Sequence, residues 1–179
     1  MPLKNREKGF SLVELMTIVG VVILLSQFAL PSYASYTKRS YVMEGLTLAN
    51  SAKLAVAAFH TTKGYLPNGS AVDANQNALF NLAEPNQITG VAVNSIRVND
   101  GIIIIEYNQK LGEFLGGPAG QSPVKGWGRL SLAPVTNAAG NVDNEGGTLV
   151  WLCGRASPRA TMEGYTTVDD QYLPANCRA

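Results

Sequence analysis

The chain contains one segment that limits its choice of fold more than any other. From Phe10 to Leu30, 21 consecutive residues include a single charged side chain, Glu14. At about 1.5 Å of rise per residue a helix of this length measures roughly 31 Å, close to the ~30 Å hydrocarbon thickness of a bilayer. The segment therefore predicts a helix that spans a membrane.

Glu14 is the unusual residue of this segment. A carboxylate at the centre of a spanning helix costs about 2.5–3.5 kcal/mol on insertion scales, and intramembrane ionisable groups are functional candidates. Glu14 lies near one end, however, where snorkelling reduces that cost. The charge alone leaves two interpretations open, a tolerated interfacial glutamate and a functional carboxylate.

A short basic leader precedes the apolar segment. It carries Lys4, Arg6 and Lys8 against Glu7, and by the positive-inside rule it stays cytoplasmic while the C-terminal body crosses the membrane. No small-residue cleavage site of the secretory type follows the apolar segment. The basic residues end instead at Gly9, so cleavage there would retain the helix and place the new amine of Phe10 one turn from Glu14.

Residues 8–15, Lys-Gly-Phe-Ser-Leu-Val-Glu-Leu, and the apolar run after them resemble the signal of a type IV pilin. The resemblance extends through residues 30–40 and returns at 172–178. It implies cleavage between Gly9 and Phe10 by a prepilin peptidase, methylation of the Phe10 amine, and assembly into a helical filament in which Phe10, Glu14 and Pro31 take part. Gly20 lies three positions before the place where many members carry a helix glycine.

The resemblance also implies a domain order and a location. The expected parts are a leader (1–9), a transmembrane and assembly half of the helix (10–30), an amphipathic half (31–63) and a β-rich head (64–179) that includes a disulfide loop (153–177). The precursor would be a single-pass protein of the bacterial inner membrane, and the product an extracellular pilus. Membrane lipid, the inner-membrane assembly machinery, sister subunits, and host surfaces or DNA are the implied partners. Twitching motility, adhesion and DNA uptake are the implied roles.

Beyond the apolar segment the pattern predicts an α+β head. Small and apolar residues form a helical stripe from Val42 to Phe59, and Gly64 marks a helix end. Pro31 removes a backbone donor and predicts a kink. Four strands are expected at residues 91–98, 102–107, 129–135 and 148–153, with Asp100-Gly101 as a hairpin turn. Residues 78–83 suggest a short helix, and 112–128 a connection. The predicted fold is a long helix whose C-terminal half packs on a four-stranded antiparallel sheet.

Two cysteines, Cys153 and Cys177, belong to the part of the chain that would be translocated. An even count in an oxidising compartment predicts a disulfide, with two free buried thiols as the alternative. Removal of the leader leaves 11 basic and 12 acidic residues, a formal charge of −1. With this charge the chain as a whole has no excess of positive charge to bind nucleic acid. Surface contact or DNA binding through Arg155, Arg159 and Arg178 stays a minor alternative.

Catalysis and metal binding find little support in the sequence. The single histidine, His60, has no nucleophile or acid at a recognisable spacing and suggests a solvated or capping residue. Asn141 to Gly146 offers alternating oxygens, but Leu152 occupies the position where a calcium loop needs an acid. We therefore expect a filament subunit that is not an enzyme and needs no cofactor. A minor pilin, a type II secretion pseudopilin, and a single-span membrane-anchored enzyme are the alternatives.

Overall fold

A computed structural model describes residues 9–67, 74–111, 113–115, 125–136, 148–154 and 166–178. For residues 30, 31, 113–115 and 125–127 the structure describes the backbone but not the side chains. The chain forms two units, Met1–Thr37 and Lys38–Ala179. One helix, α1, spans Leu12–Lys63 and contributes to both units. The predicted long N-terminal helix is thereby confirmed.

The helix ends where the sequence predicts. Gly64 adopts a φ of +77°, and its N–H donates a 2.8 Å hydrogen bond to the carbonyl of His60. A residue in this left-handed conformation after the last turn is a common way to satisfy terminal carbonyls. Pro31 lies within α1, but its side chain, on which the predicted kink depends, is outside the described part of the structure.

The second unit contains a four-stranded antiparallel sheet. Its strands are β1 (Val93–Asn99), β2 (Ile102–Tyr107), β5 (Arg129–Val135) and β6 (Val150–Cys153), in the order β1-β2-β5-β6. Asp100 and Gly101 join β1 to β2 with φ angles of +50° and +77°, as a primed hairpin turn requires. The predicted sheet and hairpin are confirmed.

The run of four isoleucines in β2 is buried on both faces of the sheet. Ile103 and Ile105 belong to the main core, which also contains the α1 residues Val42 and Val56. Ile102 and Ile104 belong to a second cluster on the opposite face. A strand without alternation is expected to be covered on both sides, and this prediction is confirmed.

The α1 face that packs on the sheet is lined by small residues. Ala49 and Ala52 are fully buried beside Val42 and Val56, so the helix axis approaches the strands closely. Phe59 is only partly buried and forms edge contacts with the rings of Tyr65 and Phe80. His60, which the sequence suggested to be solvated or capping, is instead buried with 4% of its surface exposed.

The structure corrects several element boundaries. The predicted short helix at 78–83 is a 3₁₀ helix at Asn77–Phe80, and a second lies at Pro85–Gln87. The predicted connection at 112–128 contains a two-stranded hairpin, β3 (Glu113–Leu115) with β4 (Lys125–Trp127). The predicted disulfide loop (153–177) contains 3₁₀ helices at Asp170–Tyr172 and Ala175–Cys177.

Candidate functional site

The apolar segment, Phe10 to Ala29, exposes its large side chains. Their exposed fractions range from 49% at Ile18 to 81% at Phe28. Among the described residues, α1 is the one helix long and apolar enough to cross a membrane by length and composition, and none of its most apolar stretch is buried. Contiguous apolar surface of this size is unfavourable in water, at about 25 cal/mol per Å². The segment therefore needs an apolar environment supplied from outside the chain.

Three hydroxyl groups in and just after this segment donate hydrogen bonds to carbonyls of the helix itself. Thr17 Oγ1 donates to the carbonyl of Glu14 at 2.9 Å, and Ser26 Oγ donates to that of Val22 at 2.7 Å. Thr37 Oγ1 donates to the carbonyl of Tyr33 at 2.9 Å. Hydroxyls that bond to the preceding helical turn have no need of water. The segment can therefore lie in lipid or among other helices without leaving these donors unpaired.

Glu14 caps the start of its own helix. Its Oε2 accepts a 3.0 Å hydrogen bond from the backbone N–H of Ser11. A carboxylate in the first turn is favoured both by this bond and by the positive end of the helix dipole. Within the described residues, Glu14 Oε1 accepts no hydrogen bond. The carboxylate thus has one oxygen engaged locally and a second available to a donor.

The predicted cleavage position lies directly before this cap. Gly9 and Phe10 are in irregular, exposed backbone, and 73% of the Phe10 surface is accessible. Residues 1–8 of the leader lie outside the described residues. The structure therefore places Gly9, Phe10 and Glu14 within one short exposed stretch at the N-terminal end of α1.

Cys153 and Cys177 form a disulfide, as predicted. The bond joins the end of β6 to the last 3₁₀ helix. Gly154 follows at a φ of +64°, and a Cβ at this position would overlap the backbone carbonyl of Cys177. The glycine therefore permits the close approach that the bridge requires.

The segment before Cys177 also contacts α1. Arg39 Nε donates to the carbonyl of Gln171 at 3.0 Å, and Lys38 Nζ lies 5.0 Å from the centre of the Tyr172 ring. In the folded chain these two cations hold the C-terminal segment, through a charge-assisted bond and a cation–π contact.

The structure has the long apolar helix, the small antiparallel sheet on its second half and the C-terminal disulfide that the sequence predicted. Residues 38–178 match the model of the pilin family, which is described as a bacterial filament protein. The chain belongs to the pilin family. The match covers the folded head and the C-terminal half of α1, and it includes residues 172–178, where the resemblance was noted at the C-terminal end.

Relatives of this pilin extend over nearly its whole length. It is 28% identical over 181 residues to the type IV major pilin protein PilE1 of Neisseria gonorrhoeae, covering 96% of this chain and 87% of that one. It is 27% identical to a fimbrial protein of Neisseria meningitidis serogroup B, covering 96% and 94%. It is 28% identical to the fimbrial protein EcpC of Eikenella corrodens, covering 98% and 94%.

Glu44 of the pilin makes a structural contact that was not predicted from the sequence. Its Oε1 accepts the N–H of Val91 and its Oε2 accepts the N–H of Ala92 at 3.0 Å. Gly90 can lie beside the Glu44 carboxylate because it has no side chain. A Cβ at this position would overlap the carboxylate. The clamp fixes the turn before β1 to α1. A charge between the core positions Val42 and Gly45 was the signal that could have identified it.

The structure describes only some of the charged and polar candidates of the pilin head. Arg178 Nε donates to the carbonyl of Leu173 at 3.0 Å, whereas Arg155, Arg159 and residues 141–146 lie outside the described residues. On the sheet, Glu106 forms ion pairs with Arg97 at 3.3 Å and with Arg129 at 3.2 Å. In the part of the chain that the structure describes, no group of three or more potential metal ligands occurs.

Proposed function

We propose that this pilin is the major subunit of a type IV pilus and polymerises through its α1 helix. The exposed apolar segment is the observation that carries the proposal, because a chain with this surface must keep it out of water at every stage. In the inner membrane, as a single-pass precursor, lipid covers the segment. In the filament, the same segments of sister subunits cover one another, so transfer exposes little apolar area.

Processing at Gly9 and Phe10 prepares the helix for assembly. Cleavage by a prepilin peptidase removes the basic leader and leaves Phe10 as the first residue, which is then methylated. The bond lies in exposed, irregular backbone, as cleavage by an enzyme requires. The new amine carries a positive charge in an otherwise apolar surface.

Glu14 uses that charge to set the register of the filament. A carboxylate buried among helices without a partner is expensive. The Phe10 amine of a neighbouring subunit neutralises it in one register and leaves it unpaired in slipped ones. Glu14 Oε2 already caps the helix, which leaves Oε1 to accept the incoming donor. Pro31 acts in the same step by allowing the helix to bend or open beyond the apolar segment.

The names of the relatives favour the pilus over other assemblies. They are major pilin and fimbrial proteins, so we assign the chain to the major subunit rather than to a minor pilin or a pseudopilin. The inner-membrane assembly machinery and sister subunits are its proposed partners. Twitching motility, adhesion to host surfaces and DNA uptake are the roles that such a filament serves. A single-span enzyme would need an apolar segment too, so the match to the pilin family and the names of the relatives are what favour a non-enzymatic structural subunit.

The proposal is tested by expressing the full precursor in a pilus-forming host that lacks its own major pilin. Surface filaments are sheared, and the N-terminus of the recovered chain is determined by mass spectrometry. We expect the chain to dominate the sheared fraction and to begin at methylated Phe10. Recovery only as a minor component would favour a minor pilin. A chain that stays in the membrane with residues 1–9 attached would contradict the proposal.

A further inference from the structure

Among the strands that the structure describes, β1 lies at the edge of the sheet and has one neighbour, β2. An open edge presents unpaired backbone N–H and C=O groups, which invite another strand to pair. Edges are commonly protected by charged side chains, but the one charged residue of β1, Arg97, is paired with Glu106 on the sheet face. Another device must close this edge.

Residues 76 and 77 form hydrogen bonds with the outer edge of β1 through both side-chain and backbone groups. The N–H of Val98 donates to Asn77 Oδ1 at 2.8 Å, and Asn77 Nδ2 donates to the carbonyl of Ile96 at 3.0 Å. The N–H of Gln76 donates to the carbonyl of Val98 at 2.9 Å. These three bonds satisfy outward-facing groups of β1 that a neighbouring strand would otherwise bind.

Asn77 is suited to this place because its amide carries a donor and an acceptor in one plane, like a peptide group. The residue is fully buried. Its Nδ2 also donates to the carbonyl of Ala83 at 2.8 Å, and its N–H donates to Asn75 Oδ1 at 3.1 Å. The side chain is therefore held in a single orientation against the strand.

Gln76 extends the contact to the hairpin turn. Its Oε1 accepts the N–H of Asp100 at 2.7 Å, and its Nε2 donates to Asp100 Oδ1 at 3.3 Å. The bound region therefore runs from Ile96 through Val98 to the turn that leads into β2. A second chain would have to displace several hydrogen bonds to add a strand here.

We infer that Asn77 is a specificity-determining residue for assembly, which closes the β1 edge so that copies associate through α1 and not through their sheets. This inference rests on the proposed function, because polymerisation is what brings many heads close together. A buried asparagine that only stabilised the head would produce the same hydrogen bonds. The two roles predict different association between copies when one substitution opens the β1 edge and a second substitution blocks strand addition there.

The test uses the full processed chain in detergent micelles, as wild type, Asn77→Leu, and Asn77→Leu combined with Asn94→Lys. Asn94 is an exposed residue of β1, and a lysine on an edge strand opposes strand addition. Association is measured by light scattering and thioflavin fluorescence, and opening of the edge by hydrogen exchange at the Val98 amide. Asn77→Ser replaces Asn77→Leu in both variants if the leucine variant fails to fold.

We expect Val98 to exchange at least about tenfold faster in Asn77→Leu, because its hydrogen bond is lost. We also expect this variant to form thioflavin-positive oligomers. Asn94→Lys should abolish the oligomers while the fast exchange remains. Oligomers that persist with Asn94→Lys, or a variant with fast exchange that does not associate, would overturn the inference. Failure of the proposed function would appear separately, as wild-type chain missing from sheared filaments.

Discussion

Tyr107 Oη donates a 3.0 Å hydrogen bond to the backbone carbonyl of Val42, linking the end of β2 to α1 through the core. The phenol ring lies against Gly45, where a Cβ would come within 2.7 Å of the Tyr107 Cζ atom. The contact between Tyr107 and Gly45 therefore sets how close α1 can come to the sheet. It also determines which turn of α1 lies against the end of β2.

Gly45→Ala should destabilise the head. The added methyl group would overlap the buried ring, and overpacking of a well-packed core costs about 1–3 kcal/mol. Thermal unfolding followed by circular dichroism should show a lower melting temperature. Gly20→Ala is the matched control, since a Cβ there meets nothing within 4 Å, and it should leave the melting temperature of the head unchanged. An unaltered Gly45→Ala head would show that the contact is not close.

Stability should fall at alkaline pH because of Tyr107. Burial, with a smaller effect of the Glu44 charge, raises the pKa of Tyr107 above its ordinary value. Below about pH 10 both states keep the phenol proton; above it the unfolded chain releases the proton and the folded chain retains it. The free energy of unfolding therefore decreases as pH rises past that point.

Tyr107→Phe should remove this part of the alkaline dependence, at a cost of about 1 kcal/mol near neutral pH from the lost hydrogen bond. Urea unfolding at several pH values measures both effects. Tyr65 is half-exposed, and Tyr65→Phe should retain the dependence. A Tyr107→Phe curve parallel to that of the wild type would contradict the assignment.

Glu44→Ala should weaken the attachment of the β1 turn to α1. Two backbone amides, those of Val91 and Ala92, lose a charged acceptor, and we expect a loss of about 1–3 kcal/mol. Glu44→Gln retains one acceptor oxygen and should cost less. Urea unfolding compares the variants, and hydrogen exchange at Ala92 localises the effect. Equal stability of Glu44→Ala and wild type would show that solvent replaces the clamp without cost.

Replacing both Cys153 and Cys177 by serine should destabilise the head by roughly 3.5 kcal/mol, the chain-entropy value for a bridge across a sequence separation of 24. Gly154→Ala should also destabilise it, with the sulfur atoms untouched, because its Cβ would overlap the Cys177 carbonyl. Calorimetric unfolding of the oxidised and the reduced wild type checks the effect of the disulfide. Calorimetric unfolding of the oxidised Gly154→Ala variant checks the effect of the glycine. A reduced wild type with an unchanged melting temperature would contradict the estimate.

Local patterns predicted the larger elements because the information lies in adjacent residues. Asp100 and Gly101 have the positive φ values of a primed turn, and the isoleucine run in β2 is buried on both faces. β5 was predicted although it contains Pro134. The proline is tolerated because pairing with β2 ends at Leu132, and Pro134 faces only β6.

Long-range contacts between side chain and backbone could not be predicted in the same way. Glu44 binds Val91 across 47 positions, and Arg39 binds Gln171 across 132. Neither partner carries a special side-chain signal, since the acceptor or donor is backbone. The contacts of Asn77 with the β1 backbone belong to the same class. The proposed assembly site at Phe10 and Glu14 could be suggested from the sequence because a lone charge stands out in an apolar segment.

The account depends most on Glu14 aligning the apolar segment as it passes from lipid to sister helices. The direct measurement is the ratio of sheared filament to membrane-held subunit for Glu14→Val, with Thr17→Val as the control that changes a nearby polar residue without removing a charge. We predict that Glu14→Val lowers the filament fraction at least about tenfold and leaves the membrane fraction intact, while Thr17→Val resembles the wild type. Filament yield for Glu14→Val equal to that of the wild type would contradict the account.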